Sequence, residues 1–174
     1  MIFSKPLYHV FRVKDHYSNK QRILSEIYKK GRFLYRSTDS PSYISNTDWS
    51  KDDYNWFFKA LSENDQLRYR TFISKKFGKS LLILDSWFNQ YYAGSGSAHD
   101  VHDHEGCDLT AIYYVELSDR SLGTILKHPT TGKEISPNVK EGDIITFRSN
   151  IFHRSPPNFT NTCKTVISFN VSFA

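Results

Sequence analysis

The sequence is poor in the features that stabilise secreted proteins or anchor membrane proteins. Only two of its 174 residues are cysteines, Cys107 and Cys163, and no Cys-x-x-Cys pair occurs. No run of about 18 apolar residues is present, which argues against a membrane-spanning helix. The segment 1–14 carries mixed charges and lacks the apolar core of a signal peptide. We therefore expect a cytoplasmic protein with both thiols free and no membrane partner.

Several common catalytic and binding signatures are also missing. The sequence contains no Gly-x-Ser-x-Gly elbow, no phosphate-binding Gly-Lys-Thr loop and no zinc-ribbon cysteine spacing. The net charge of +5 comes from 23 basic and 18 acidic residues that are spread along the chain. The pairs Lys29-Lys30 and Lys75-Lys76 fall near predicted helix ends, where cations suit the helix dipole. No nucleic-acid partner is expected.

Apolar periodicity in the first half of the chain predicts helices. Ser18 is the expected cap of a helix over residues 19–30, and a third helix over 64–77 should end at Gly78. Between them, Ser50 should open a second helix, with Asp53 completing a variant capping box. The apolar stripe of that second helix is Tyr54, Phe57, Phe58 and Leu61.

The second half changes to short β-rich runs separated by clusters of Gly, Pro, Asn and Ser. Five such runs without intervening helices are typical of an antiparallel sandwich or barrel. We therefore predict a mainly β fold with N-terminal helices in a single domain over 1–174, with helical support over 15–78 and a barrel over 80–174. The predicted strands span residues 81–92, 109–117, 122–127, 143–148 and 165–173.

The last predicted strand has two chemically different faces. Its odd-numbered positions from Thr165 to Phe173 are mostly large and apolar, as a core face requires. Its even-numbered positions begin with Lys164 and continue with Val166, Ser168, Asn170 and Ser172. This second face should point either to solvent or into a wet cavity inside a barrel.

Histidines supply the best candidates for chemistry. His102 and His104 form a His-x-His pair, which places both imidazoles on one face of a strand. His153 is the best third ligand, because it follows the strand that ends at Arg148. Three protein ligands on one face of a metal ion leave other positions open for substrate and O2.

Several short motifs accompany these histidines in a defined order. They are Trp87-Phe88-Asn89, Gly96, His102-Asp103-His104, Tyr113 to Leu117, Glu141 to Phe147, His153, Pro157-Asn158 and Ser168-Phe169-Asn170. In order and spacing they resemble the 2-oxoglutarate/Fe(II)-dependent oxygenases common in marine phages and bacteria, which are similar in plan to prolyl 4-hydroxylases. The resemblance covers about residues 80–174. It implies a double-stranded β-helix, a jelly-roll barrel of the cupin-like type.

The resemblance also implies roles for individual residues. His102, His104 and His153 occupy the positions of the family's iron ligands. Lys164 lies eleven residues after His153, where the family usually has an arginine for the distal carboxylate of 2-oxoglutarate. Tyr92, Asn89 and Ser168 are further candidates for contact with this cosubstrate or with the metal ligands. The implied activity is a dioxygenase that hydroxylates a small-molecule or peptidyl substrate with O2, a prolyl or other amino-acid residue being the candidate.

One departure from the family pattern concerns the metal ligands. Most of these oxygenases use two histidines and one carboxylate, whereas no histidine here has an acidic residue two positions later. The site is therefore either a three-histidine site or one in which Asp100, Asp103 or Asp108 takes part. Three neutral imidazoles would leave one more positive charge on the metal centre.

Two other functions remain open at this point. A cupin-type metal-dependent oxygenase or isomerase fits Gly96, the five residues after it and His102-x-His104, with Asp108 where that motif has glutamate. The second cupin motif is absent around His153. A non-enzymatic jelly-roll module would bind a sugar or protein by stacking it on Tyr91, Tyr92, Tyr113 or Tyr114.

Overall fold

Strands predominate over helices in the computed structural model, which describes residues 6–49 and 55–174. In chain order the strands are β1 (Tyr8–Arg12), β2 (Tyr35–Arg36), β3 (Tyr43–Ile44), β4 (Asn46–Thr47), β5 (Leu81–Tyr91), β6 (His99–His102), β7 (Leu109–Leu117), β8 (Ile125–Lys127), β9 (Glu134–Ile135), β10 (Asp143–Arg148), β11 (His153–Ser155) and β12 (Lys164–Phe173). The helices are α1 (His16–Lys29), α2 (Trp56–Ala60) and α3 (Glu63–Phe77).

The strands form two main antiparallel sheets. One has six strands in the order β1-β10-β7-β12-β5-β4, and the other has four in the order β6-β11-β8-β9. A small hairpin pairs β2 with β3. The two main sheets share one apolar cluster, in which Ile112 and Val166 of the large sheet accompany Leu126 of the small one. This is the predicted mainly β, jelly-roll fold, a double-stranded β-helix.

The helices cover the outer face of the six-stranded sheet. On β12, Ile167, Phe169 and Val171 belong to the cluster that contains the helical residues Phe57 and Tyr69. The ring of Phe169 lies 5.1 Å from that of Phe57 and 5.5 Å from that of Tyr69, centroid to centroid. The odd-numbered face of β12 therefore joins sheet to helices, and its even-numbered face is left to line the barrel interior.

The structure confirms the third predicted helix and corrects the first. In α3, the Ser62 hydroxyl accepts a hydrogen bond from the Asp65 N–H at 3.2 Å, and Gly78 ends the helix with a positive φ of 70°. Helix α1 begins at His16, so Ser18 is not its cap. The Ser18 hydroxyl instead donates to the Asp15 carbonyl at 2.8 Å, inside the first turn.

The second predicted helix is shorter than expected. Ser50, Asp53 and Tyr54 lie outside the described residues. Helix α2 ends before Leu61, which has an extended backbone. Of the predicted apolar stripe, Phe57 and Leu61 are buried, whereas Phe58 is half-exposed. No helix in the described segments combines the length and apolar character that a membrane span requires.

The prediction of a purely helical first half is wrong for β1. This strand pairs with β10 at the edge of the large sheet, and only Phe11 of its side chains is fully buried, so its pattern is weak. The predicted strand over 122–127 begins only at Ile125. Residues 120–122 form a single 3-10 turn that the Asp119 side chain caps by accepting from the Ser121 N–H at 2.9 Å.

We expect Phe169→Ala to lower the free energy of unfolding by about 3–5 kcal/mol, because it leaves a cavity between β12 and the helices. Phe159→Ala is the matched control, since the Phe159 side chain is 76% exposed. It should change the stability by less than about 0.5 kcal/mol. Urea unfolding measures both. Equal effects of the two substitutions would contradict the assignment of this sheet–helix contact as core.

Candidate metal centre

Two neighbouring strands bring three histidines together. His102 ends β6, and it stands directly opposite His153, which begins β11. His104 follows two residues after β6, and its backbone N–H donates to the Ser149 carbonyl at 3.0 Å. One ring nitrogen from each of the three histidines lies within 4.8 Å of the others. This spacing suits three ligands around one metal ion.

The Nδ1 atom of each histidine is occupied by an oxygen acceptor. His102 Nδ1 lies 2.7 Å from the Asp100 carbonyl, and His153 Nδ1 lies 3.0 Å from the Ile151 carbonyl. His104 Nδ1 lies 2.6 Å from Oδ1 of Asn170. An oxygen acceptor requires Nδ1 to carry the proton, so each Nε2 keeps its lone pair for a metal.

Burial keeps these imidazoles in the neutral form that binds metals. Removal from water lowers the pKa of His102, His104 and His153. At His102 and His153, repulsion from other histidines of the group lowers the pKa further. The effect is largest at His153, the most buried of the three. No proton has to be displaced from Nε2 at neutral pH before a metal can bind.

No carboxylate in the described part of the chain joins the three histidines. The Asp100 carboxylate accepts from the hydroxyls of Ser40 and Ser42. The Asp108 carboxylate accepts from the Phe173 N–H at 2.8 Å. Asp103 lines the cavity outside the group. Of the two arrangements left open by the sequence, the geometry favours the three-histidine one.

A fourth histidine lies beside the group without belonging to it. The His99 ring stacks on that of His102 with a centroid separation of 3.9 Å. Burial, together with the nearby histidines, lowers the pKa of His99 to about 3. The His99 ring is therefore neutral and packs against the ring of the candidate metal ligand His102. His99 also lines the larger cavity of the barrel.

Lys164 is buried in the same barrel interior. Its side chain is almost fully removed from solvent, its Nζ donates to the Ser155 hydroxyl at 2.8 Å, and it lies 4.8 Å from the centre of the Tyr91 ring. None of the ion pairs among the described residues includes Lys164. Desolvation lowers the pKa of Lys164 to about 7. A buried amine without a counter-ion is suited to receive an anionic ligand.

The barrel interior holds two adjacent spaces that share part of their lining. The inner chamber is a space of about 30 Å³ whose lining includes His153, Lys164, Ser155, Tyr91 and Thr124. The outer cavity has a volume of about 510 Å³, and its wall includes residues from the segments 37–44 and 99–105. Both spaces are lined by His99, His102, His104, Trp87 and Asn89.

Two of the three further residues predicted at the site face the inner chamber. Asn89 and Ser168 line it, whereas Tyr92 does not. The Tyr92 ring packs under the Arg32 guanidinium at 5.0 Å. Side chains alternate along a strand, so Asn89 and Tyr92, which are three positions apart, cannot share a face. Tyr91 has the correct parity, and it pairs with Lys164 across β5 and β12.

Four residues at the site were not predicted to act there. Tyr91 and Ser155 surround the Lys164 amine, Asn170 orients His104, and the Trp87 ring stacks on the His104 ring at 5.6 Å. Asn170 and Tyr91 could have been found from strand alternation alone. Ser155 could not have been found in this way, because its contact with Lys164 depends on the path of the loop that connects β11 to β12.

Comparisons with known proteins give a match in structure but not in sequence. No protein-family model and no curated protein sequence matches the chain. A 2OG-Fe(II) oxygenase-family oxidoreductase from Burkholderia pseudomallei superposes with a TM-score of 0.63 at 11% identity, covering 95% of this chain and 85% of that one. The chain has the fold of the 2-oxoglutarate/Fe(II) oxygenases.

Two further solved structures show the range of proteins with this fold. The viral collagen prolyl hydroxylase of Paramecium Bursaria Chlorella virus-1, in its 2-oxoglutarate complex, gives a TM-score of 0.59 at 16% identity and covers 98% of both chains. The non-heme α-ketoglutarate-dependent epimerase SnoN from nogalamycin biosynthesis gives 0.69 at 11% identity, covering 97% of this chain and 77% of that one. At such identities the likeness establishes the fold and leaves the reaction open.

We expect Asn170→Ala to weaken metal binding about 10- to 100-fold, because His104 loses the acceptor that fixes its ring and tautomer. Asn170→Asp keeps an oxygen acceptor and should retain most of the affinity. Asn161→Ala, at an exposed position, is the control. Titration with Co(II), followed by its visible absorption, measures the affinity. Unchanged affinity in Asn170→Ala would exclude this positioning role.

Replacing the buried amine should change how stability depends on pH. The pKa of Lys164 is about 7 in the folded protein and about 10.4 in an unfolded chain. The unfolded state therefore binds the extra proton between these values, and the wild-type free energy of unfolding should rise there with increasing pH. In Lys164→Met this contribution is absent.

The advantage of Lys164→Met over the wild type should thus be largest at or below pH 7. It should shrink by about 1.4 kcal/mol per pH unit toward pH 10. Urea unfolding of the metal-free proteins between pH 6.5 and 9.5 measures this difference. Lys133→Met, at an exposed position, should show no such trend, and a constant difference for Lys164→Met would refute the charge-burial argument.

Proposed function

We propose that this chain is a mononuclear non-haem Fe(II), 2-oxoglutarate-dependent dioxygenase that hydroxylates an amino-acid or peptidyl substrate. The observation that carries the proposal is the presence of two complementary binding groups in one chamber. Three histidines lie close enough to bind one metal and have their Nδ1 atoms bonded to oxygen, which leaves Nε2 available. The buried Lys164 lines the same chamber and forms no ion pair among the described residues. A dicarboxylate that chelates a metal at one end requires such a pair.

The residues fit these roles on physical grounds. His102, His104 and His153 would hold the metal through neutral imidazoles that are already oriented by their Nδ1 acceptors. Lys164 would bind the far carboxylate of 2-oxoglutarate, and Ser155 already accepts a hydrogen bond from its amine. Binding an anion returns the amine to its charged form and forms a charge-assisted hydrogen bond.

The remaining residues of the inner chamber would position the cosubstrate and restrict water. Tyr91, Ile112 and Val166 present apolar surface beside the Lys164 amine, which strengthens any ionic contact formed there. Asn89 and Ser168 offer hydrogen-bonding groups from β5 and β12 on the same wall. The chemistry supplied by bound Fe(II) and 2-oxoglutarate is reduction of O2 with oxidative decarboxylation, which gives succinate, CO2 and a hydroxylated C–H position.

The three-histidine ligand set has a consequence for the metal. Replacing the usual carboxylate by a neutral imidazole leaves the centre one unit more positive. Anionic cosubstrates should then contribute more of the charge neutralisation than in a site with a protein carboxylate. Because three histidines also suit Zn²⁺, the metal content of the purified protein bears directly on the proposal.

The two alternative functions have less support from the geometry. A cupin site would use Asp108 near the histidines, but its carboxylate is bonded to the Phe173 N–H instead. A sugar- or protein-binding module would expose its tyrosines, yet Tyr91, Tyr113 and Tyr114 are each at most 2% exposed. Neither alternative gives a role to the buried amine of Lys164.

Anaerobic titration of the protein with Fe(II) and then 2-oxoglutarate tests the proposal. We expect a weak metal-to-ligand charge-transfer band in the visible range. His104→Ala should abolish the band, because one metal ligand is lost. Lys164→Met should weaken 2-oxoglutarate binding by about tenfold or more, since a hydrogen bond to a charged group is removed.

The control for the lysine is Lys133→Met, which should titrate like the wild type. Circular dichroism must show that His104→Ala keeps its β-sheet signal. Tightly bound iron without the band would contradict 2-oxoglutarate chelation and favour a cupin-type enzyme. Absence of any metal uptake would contradict an enzyme of either kind and favour the binding module.

A further inference from the structure

The outer cavity has an acidic wall on a basic protein. Four carboxylates line it, and no lysine or arginine of the described segments does so. The chain as a whole carries a formal charge of +5. The acidic residues come from two separate segments of the chain and are Asp39, Asp100, Asp103 and Glu105. The wall of this cavity therefore carries a charge opposite in sign to the net charge of the chain.

These carboxylates are not neutralised by basic side chains. None of the ion pairs within the described residues involves any of the four. The Asp100 carboxylate accepts from the hydroxyls of Ser40 and Ser42, which are neutral donors. Hydroxyl donors hold the carboxylate in place without removing its charge. The cavity therefore keeps a net negative potential for a ligand to meet.

Aromatic rings form another part of the same wall. The rings of Tyr35 and Trp49 meet edge to face, with centroids 5.2 Å apart, and the Trp49 side chain is 44% exposed. Trp87 continues the aromatic surface down to the metal-binding group, where it stacks on His104. Exposed indole and phenol faces attract organic cations through their ring quadrupoles. Acidic and aromatic groups together favour the same kind of ligand.

The cavity also adjoins the proposed metal site. His102 and His104 line both the outer cavity and the inner chamber. Lys164 lines only the inner chamber, in which Arg154 is already held by the Glu134 carboxylate at 2.8 and 3.0 Å. An anionic cosubstrate is thus favoured on one side of the three histidines and a cation on the other. This separation would prevent the two ligands from exchanging places.

We propose that the substrate portion held in the outer cavity carries a cationic nitrogen, an ammonium or guanidinium group. The proposal rests on the function proposed above, and it narrows the substrate from any amino-acid residue to a basic one. Asp39 and Glu105 approach from different segments and would bind the cationic head. Tyr35 and Trp49 would contact its alkyl or planar portion. A C–H bond of the same side chain would then lie toward His102 and His104.

Isothermal titration calorimetry tests whether the outer cavity prefers cationic ligands, and it does not require turnover. The protein is loaded with Fe(II) or Co(II), and 2-oxoglutarate is present. The probes are arginine against citrulline and lysine against norleucine, which differ chiefly in charge. The same residues in short blocked peptides distinguish a free amino acid from a peptidyl source. We expect at least about tenfold tighter binding for the cationic member of each pair. Equal binding of charged and neutral probes would overturn the proposal.

The double variant Asp39→Asn/Glu105→Gln removes two charges at nearly constant shape. It should weaken binding of the best cationic probe about five- to tenfold and reduce its salt dependence. Glu63→Gln/Asp119→Asn changes the net charge equally at sites outside both spaces, and it should bind that probe as the wild type does. Equal losses in the two variants would reduce the effect to overall charge and refute a specific cation site.

The two proposals fail in different ways. A normal Fe(II)–2-oxoglutarate band with no preference for cations leaves the dioxygenase function intact and refutes the substrate class. Loss of the band in the wild type refutes the dioxygenase function itself. Coupled formation of succinate with a cationic probe, and not with its neutral partner, would support both.

Discussion

In the antiparallel pair formed by β6 and β11, His102 stands directly opposite His153. All other features of the site are arranged around this cross-strand pair. The backbone hydrogen bond from His104 to Ser149 returns the chain after β6 so that a third imidazole meets the first two. The acceptors at Nδ1 then decide which nitrogen faces inward. Strand pairing sets the distances, and local hydrogen bonds set the chemistry of the ligand atoms.

The second organising feature is the separation of charge across the histidines. Burying an amine without a counter-ion costs free energy, and it persists only where the surrounding fold supplies the compensation. Here the compensation comes from the two apolar clusters that β12 joins. The acidic groups remain near solvent, where their charge is less costly. The fold thus tolerates one amine without a counter-ion in its interior and places carboxylates at the mouth of the barrel.

The sequence was informative where a local pattern determines geometry. His-x-His on an extended segment implies one shared face, and Gly78 after an apolar periodic run implies a helix end. The alternation of β12 correctly separated the core face from the face that bears Lys164. Tyr92 was misplaced because it lies three positions after Asn89, an odd separation that places the two side chains on opposite faces. Ser155 was missed because its contact depends on non-local chain return, which no local pattern records.

Weak elements were missed for a related reason. β1 lies at a sheet edge, and of its five residues only Phe11 is buried while three others are partly buried, so its apolar pattern is incomplete. The fold class could be inferred without it, since the five longer β-rich runs already exclude a helical bundle. The acidic wall of the outer cavity was not visible either. Its members are separated by up to 66 positions, from Asp39 to Glu105, and only the barrel brings them together.

Strand β12 separates two parts of the protein that are under different constraints. Ile167, Phe169 and Val171 are fixed by packing against the helices, whereas Ser168 and Asn170 between them face the site. Changes at the inward positions can therefore alter ligand preference without disturbing the helical layer. Substitutions along β12 should therefore be limited at alternate positions by two different requirements: packing against the helices at the apolar positions, and ligand binding at the inward ones.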